Sequence, residues 1–233
     1  MAKKIRLDVH LTEEEYFPSR NKAKGAIMAG IVFVNGERID KAGTKIDPES
    51  EIEIKGEHCP YVSRGGYKLE KAIEAFNLDL TDYKMLDVGA STGGFTDCAL
   101  QNGACQVYAL DVGYGQLAWK LRQDSRVEVI ERTNIRYLTK DDLPEIFDIV
   151  TIDVSFISLS IVIPASRRFL KHEGEMVALI KPQFEAGRDK VGKNGVVKDA
   201  EIHKEVIEKV IGLVNETDLQ VVDLSYSPIT GAS

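Results

Sequence analysis

The chain is poor in the residues that build covalently or metal-stapled scaffolds. Its 233 residues include three cysteines, Cys59, Cys98 and Cys105, with no C-x-x-C pair, and the odd number suits a reduced compartment. Cys98 and Cys105 are close enough in sequence to be buried near one another. The four histidines, His10, His58, His172 and His203, are scattered without metal-ligand spacing, so no metal is expected. No apolar run approaches the roughly 20 residues that span a bilayer. The start, MAKKIRLDVHLTEEEY, has neither a continuous apolar stretch nor a small-residue cleavage site, so the expectation is a cytoplasmic protein without stable membrane insertion. Positive charge is in deficit, with 30 Lys and Arg against 37 Asp and Glu and a net charge of -7. Any nucleic-acid binding therefore needs a local basic patch rather than a basic coat.

What is present is ordinary globular material, 43% hydrophobic and long enough for one or two domains. Residues 1–59 carry their own turn signals. In FPSRNKAKGAIMAGIVFVNGERID, Ser19 is placed to cap a helix bearing Arg20, Lys22 and Lys24, Gly30 to end it, and Asn35-Gly36 to make a tight hairpin. A further strand signal, EIEI, follows at 51–54. Upstream, Lys4 and Arg6 open an amphipathic stretch with Leu7, Val9 and Leu11 as candidate core positions. Arg20 and Lys24 lie four apart on one helical face, an arrangement that serves as a phosphate grip or as a merely solvated surface.

From residue 60 the pattern changes. Apolar strands are expected at 84–88, 106–110, 127–130, 147–152, 175–180 and 219–224, with helices at 66–76, 94–102, 113–122, 158–170 and 200–215. Such alternation predicts an α/β fold with a doubly wound, mostly parallel sheet whose ligands sit at the carboxyl ends of the strands. The His58–Gly66 region, with Pro60 and Gly65-Gly66, is the natural junction between a domain over 1–59 and one over 60–233.

The stretch LDVGASTGGFTD, residues 86–97, admits two chemistries. Gly89-Ala90-Ser91-Thr92-Gly93 fits the G-x-S-x-G elbow of a serine hydrolase, with Asp153 and then His172 or His203 in the required chain order. The histidines fall in charged helical surroundings, however, and no H-G-G-G-type oxyanion sequence occurs. A cofactor turn explains more. Asp87 and Gly89 end the first strand, Gly93 and Gly94 allow close backbone approach, and Asp111 closes the second strand about 20 residues on, where a carboxylate accepts ribose hydroxyls. NAD and S-adenosylmethionine both fit an acidic ribose site. The adjacent glycines depart from the G-x-G-x-x-G pyrophosphate cradle, and Ser91 and Thr92 supply polar groups that suit a cofactor without phosphate. Asn134 in ERTNIR is a candidate partner for an adenine edge, or a loop asparagine satisfying its own turn. Phe95, directly after the glycines, completes this candidate set.

Three charged residues lie outside the turn. Lys68 opens an amphipathic helix in YVSRGGYKLEKAI, Asp153 ends a strand in DIVTIDVSF, and Lys181 follows a strand in MVALIKPQF. Two of them stand at strand ends on the cofactor side, where they form either a methyl-transfer site or a structural ion pair. Methyl transfer to a hydroxyl needs an in-line oxygen that loses its proton, which a neutral lysine can accept.

The first segment, through RLDVHL, SRNKAKGAIMAGIVFVNGERI and KIDPESEIEI, resembles an S4 RNA-binding domain, and the second resembles the FtsJ-type RNA ribose 2′-O-methyltransferases. The whole chain resembles the TlyA family, also labelled hemolysin A, through YVSRGGYKLEKA, LDVGASTGGFTDC, DVGYGQLAWKLR, ERTNIR, TIDVSFISL and LIKPQFEAGR. The resemblance implies S-adenosyl-L-methionine at Gly89, Ser91, Gly93, Gly94 and Asp111, a Lys-Asp-Lys-Glu catalytic set carried by Lys68, Asp153 and Lys181, and ribosomal RNA or ribosomal subunits as partner, with cytidine ribose the usual target. It also implies RNA contacts from Arg6, Ser19, Arg20, Lys22 and Lys24, to which Lys4 and Arg64 are added as basic neighbours. The family continues past SYSPITGAS into a strand bearing the glutamate, so a sheet lacking its final edge strand and a catalytic set short of one member are expected here. Three other readings compete. Base methylation lacks a cysteine beside IDVSF or LIKPQF and the paired prolines of amino methyltransferases, a membrane-lytic protein lacks a spanning segment, and an RNA-binding protein with an inactive methyltransferase fold is the third.

Overall fold

The computed structural model describes residues 4–28, 30–55, 59–143, 146–192 and 195–229, so that His58 of the expected junction lies outside the described residues. The chain divides into two compact units, residues 1–58 and 59–233.

The first unit runs β1 (Ile5–Arg6), α1 (Leu7–Glu13), α2 (Arg20–Met28), β2 (Val32–Val34), β3 (Glu37–Arg38), β4 (Lys45–Ile46) and β5 (Ile52–Ile54). β1 pairs with β4, and β2 lies between β3 and β5, all antiparallel. Asn35 and Gly36 both take left-handed backbone, φ 51° and 81°, the geometry that matches hairpin twist. Leu7 and Leu11, one helical turn apart, are fully buried beside Ala23, Ile27 and Val32. Val9, expected in this core, is only half-buried because the stretch is helical and position i+2 turns away from the buried face. Asp8 and His10 are buried instead.

The second unit runs α3 (Gly66–Phe76), β6 (Lys84–Val88), α4 (Gly94–Gln101), β7 (Gln106–Leu110), α5 (Trp119–Arg122), β8 (Val127–Ile130), β9 (Phe147–Ile152), α6 (Leu159–Arg167), β10 (Leu170–Ala178), α7 (Pro182–Glu185) and α8 (Ala200–Asn215). Its five strands are parallel in the order β10-β9-β6-β7-β8. Alternate residues feed two cores. Met85, Val107 and Ile149 pack with α3 and α4 on one face, while Leu86, Tyr108 and Val150 pack with α6 and α8 on the other. Strand order reverses between β6 and β9, and a crevice opens at the carboxyl ends of those two strands.

Four expected strands coincide with β6, β7, β8 and β9, and the expected helices 66–76 and 200–215 coincide with α3 and α8. The helix expected at 158–170 stops at Arg167, because Leu170 already pairs in β10, and three further elements differ. The helix expected at 113–122 is reduced to α5, because Gly113 donates its N–H to Asp111 and Gly115 turns left-handed at φ 70°. β10 starts earlier than 175, with an irregularity between Leu170 and Glu175. The expected strand 219–224 is not formed, since its segment pairs with no strand among the described residues and Val222 is left 94% exposed. Cys98 and Cys105 do not share a buried site: Cys98 is in the core and Cys105 is exposed, its thiol on the Asp82 carbonyl.

Candidate active site

The turn after β6 is built by local backbone necessity. Gly89 at φ 90° continues the sheet by donating to the Leu110 carbonyl, and a Cβ there would stand 2.8 Å from the Asp153 carbonyl oxygen. Only glycine permits both the left-handed turn and this approach of two strand ends. Gly93, at φ 97°, would drive a Cβ into Leu117 and Leu121, so a residue without a side chain is required for the turn to pack against them. Gly94 admits the Ser63–Gly66 turn against the start of α4, its Cβ position lying 2.5 Å from Ser63 Oγ and 2.7 Å from the Gly66 nitrogen. Asp97, buried on α4, accepts from the Val62 N–H at 2.7 Å and from Lys120, which pins that turn in place.

Asp87 departs from the expected cofactor role. Its carboxylate is wholly buried, accepting from Thr96 Oγ1 at 2.7 Å and Thr151 Oγ1 at 3.2 Å, and burial pushes its pKa up to about 7. It braces β6, β9 and α4 from beneath the turn.

Asp111 accepts from the Ser91 N–H and the Gly113 N–H, both at 2.7 Å. With Ser91, Gln116 and Asn134 it lines a cleft of about 770 Å³ that extends past Leu110, Val112 and Ile135 to Asp153–Ser158. Asn134 Oδ1 accepts from the Arg136 N–H at 3.1 Å, so the oxygen satisfies its own turn while the side chain faces the cleft. Thr92 is exposed and accepts through its carbonyl from Ala118, outside the cleft lining, and Phe95 packs in the core at the base of the Asp153 end of the cleft.

At that end, an adjoining recess of about 250 Å³ brings together Lys68, Asp153 and Lys181. Lys68 Nζ donates to Asp153 Oδ2 at 2.7 Å, and Lys181 Nζ lies 2.7 Å from Oδ1. The second contact is ionic but off hydrogen-bond alignment, leaving Oδ1 without an aligned donor, and Lys181 donates to Ser155 Oγ at 3.0 Å instead. The three side chains are only 19%, 15% and 18% exposed, which withdraws them from the screening that weakens surface pairs.

Ser155, Gln116 and Phe156 were not singled out by sequence reasoning. Phe156 is the most unusual: it is 92% exposed, left-handed at φ 63°, and its ring stands 5.1 Å from that of Phe184. Bulky residues rarely adopt such backbone, and strained residues of this kind cluster at functional sites. Its signal in the sequence is an aromatic three residues past a strand-end acid, too short to read alone.

The serine elbow is excluded. Ser91 has the left-handed backbone of an elbow, φ 50°, but its N–H is held by Asp111 and its hydroxyl faces Gln116. His203 bonds the Val197 carbonyl, and His172 stands exposed on β10.

In the first unit, Arg6 and Arg20 converge on the buried Asp8. Arg6 Nε donates to Oδ1 at 2.9 Å and Arg20 Nη2 to Oδ2 at 2.8 Å, and these guanidiniums hold the carboxyl far below its ordinary range. Ser19 Oγ caps α2 by accepting from the Lys22 N–H at 3.4 Å, and Lys4 and Lys22 are exposed while Lys24 is half-buried, none ion-paired to a described residue. Arg64 belongs to the second unit, exposed just before α3. Among the described residues no cluster could hold a metal ion, and no helix is long and apolar enough to cross a membrane.

A parallel sheet wound on both faces, an acid at the end of its second strand that lines a cleft and a lysine-aspartate cluster at its switch point are the frame of a Rossmann-like methyltransferase. The second unit matches the FtsJ-like methyltransferase family over residues 61–233, and the first matches the S4 domain over residues 5–52. The chain belongs to the FtsJ-like methyltransferases, in the branch that joins this domain to an S4 domain. It is 54% identical over 231 residues to the Bacillus subtilis protein YqxC, provisionally named an rRNA methyltransferase, a match covering 99% of this chain and 82% of that protein. It is 40% identical to the 16S/23S rRNA (cytidine-2′-O)-methyltransferase TlyA of Mycobacterium tuberculosis, covering 100% of this chain and 87% of that one. A solved Streptococcus thermophilus structure, provisionally described as a hemolysin, is 49% identical with a TM-score of 0.75, covering 99% of this chain and 85% of that one.

Proposed function

We propose that this chain methylates the ribose 2′-hydroxyl of a nucleotide in ribosomal RNA, cytidine being the favoured target, with S-adenosylmethionine as donor. The observation that carries the reading is the meeting of Lys68, Asp153 and Lys181 at one end of a cleft whose other end holds Asp111. The cleft suits this donor better than a dinucleotide. The helix start where a pyrophosphate would seat is packed against the Ser63–Gly66 turn, while Asp111 and the apolar Leu110, Val112 and Ile135 suit a nucleoside. Asp111 and Ser91 would hold the ribose, and Asn134 would meet the adenine edge. Held there, S-adenosylmethionine supplies an electrophilic methyl group on a sulfonium.

The chain's own residues handle the hydroxyl. Asp153 is contacted by both amines, so one lysine can turn to the hydroxyl while the other keeps the carboxylate paired. Lys68 keeps Asp153 oriented, and Lys181 in its neutral form accepts the proton lost by the 2′-oxygen as that oxygen takes the methyl. Acid–base assistance contributes roughly 10²–10⁴ in rate, whereas orientation contributes about 7–11 kcal/mol, so placement of the hydroxyl dominates. Phe156 offers an exposed ring on which an unstacked base can lie, the usual way proteins hold a nucleotide outside a helix. RNA is gripped by the basic face of the first unit, and a substrate in ribosomes makes the cytoplasm the site of action.

The test incubates labelled S-adenosylmethionine with unmodified ribosomal subunits and maps the product by its resistance to alkali. A 2′-O-methyl label is expected, reduced about 10²–10⁴-fold by Lys181→Ala with cofactor binding retained. Label on a base, or undiminished labelling by the variant, would refute the reading.

A further inference from the structure

We infer that Glu185 is a positioning residue for methyl transfer, acting as the buckle that closes two loops into one body. The inference rests on the reading of Lys181 as the proton acceptor.

The loop after β9 and the turn after β10 touch in ordered succession. Lys181 reaches Asp153 and Ser155, Phe184 packs on Phe156, and Glu185 closes the series on Ser158 and Leu159. That last contact is the most buried. Glu185 is 5% exposed, and its two carboxylate oxygens accept from Ser158 Oγ and from the Leu159 N–H, each at 2.7 Å. The Leu159 N–H is one of the donors that the start of α6 leaves without an intrahelical partner, and negative charge is favoured at that end. From behind, Lys209 on α8 donates to the Glu185 carbonyl at 2.8 Å and brings its amine to 3.8 Å from Oε2. Glu185 is thus anchored on one side and anchoring on the other.

The consequence falls on two residues that Glu185 does not touch. Lys181 precedes it by four positions on the same short turn, so the seat of that turn against α6 sets where the lysine amine emerges beside Asp153. Phe156 sits at φ 63°, a strained state that persists only where its surroundings over-determine it, and the loop holding it is closed at its far end by Glu185. Removing the carboxylate leaves a buried N–H unpaired and frees both residues. A misplacement of about 1 Å can cost on the order of 10²-fold in rate.

Glu185→Ala, Glu185→Gln and Glu185→Asp in the full chain are compared by single-turnover methyl transfer to RNA, by S-adenosylmethionine affinity and by hydrogen exchange. Alanine is expected to slow transfer about 10²-fold with cofactor affinity unchanged, and to raise exchange in residues 154–160 but not in 84–110. Glutamine keeps the shape, its oxygen accepting from Leu159 and its amide donating to Ser158, and is expected to restore most of the rate. Aspartate keeps the charge but withdraws it, and should stay slow. A helix cap with no further role would lower stability and leave the rate per folded molecule intact. Transfer by the alanine variant at the parent rate, or a rise in exchange over both segments, overturns the inference. If the alanine variant fails to fold, glutamine and aspartate decide: equal rates overturn it. A parent chain that methylates no RNA sinks the functional reading instead, while the exchange comparison still decides whether Glu185 holds the loop.

Discussion

Arg6 and Arg20 read in the sequence as free phosphate donors, but in the fold each already donates to the buried Asp8 carboxylate. Their roles are therefore double, and substitution has two effects. Arg20→Ala leaves Asp8 with a single guanidinium and is expected to lower the melting temperature by on the order of 5 °C, measured by calorimetry. Lys22 and Lys24 hold no described residue, so the double alanine variant should melt within about 0.5 kcal/mol of the parent yet bind RNA more weakly, its salt slope shallower by about 1 per lost phosphate contact. An unchanged slope would mean the lysines only face solvent. Asp87 gives a third expectation. Its carboxyl is raised from 3.8 to about 7 by burial, so between those values the folded state keeps a proton that the unfolded state has lost. Stability from this group is therefore full in acid below the unfolded value and declines as pH rises toward 7, by up to about 1.4 kcal/mol per unit. Asp87→Asn should flatten that slope in urea titrations taken between pH 5 and 8, and an unaltered slope would place the proton elsewhere.

At the scale of elements, four strands were legible because each alternates apolar side chains into two cores, a period that local sequence records directly. The glycine turn was legible for the same reason, since a left-handed residue between an apolar strand and a helix leaves few choices. The helix expected from 113 failed because Asp111 captures the Gly113 N–H, and the strand expected at 219–224 failed because an apolar pattern does not supply a partner strand. Gly89→Ala tests the turn. Its Cβ would press on the Asp153 carbonyl in a left-handed backbone, so a loss of about 1–3 kcal/mol in chemical denaturation and weakened binding of S-adenosylmethionine by titration calorimetry are expected. Binding at parental strength would show that the strand ends can separate freely.

For the whole molecule, a net charge of -7 coexists with the proposed hold on a polyanion. The reconciliation is spatial, since only the charges facing the phosphates release counterions. RNA affinity measured between 50 and 200 mM salt should therefore fall log-linearly in spite of the acidic balance; salt-independent binding would remove the basic face from the account. Local sequence determined the alternation of strands and helices, the glycine turn and the acid at the second strand, because periodicity and backbone restriction act over a few neighbouring residues. It could nominate Lys68, Asp153 and Lys181 but not join them: Lys68 and Asp153 are 85 residues apart, and their 2.7 Å contact exists because the crossovers seat α3 beside the end of β9. The burial of Asp87, the claim of Asp8 on two arginines and the grip of Glu185 on α6 were likewise decided by tertiary structure, because a carboxylate's role depends on which donors the fold brings to it after water has been excluded.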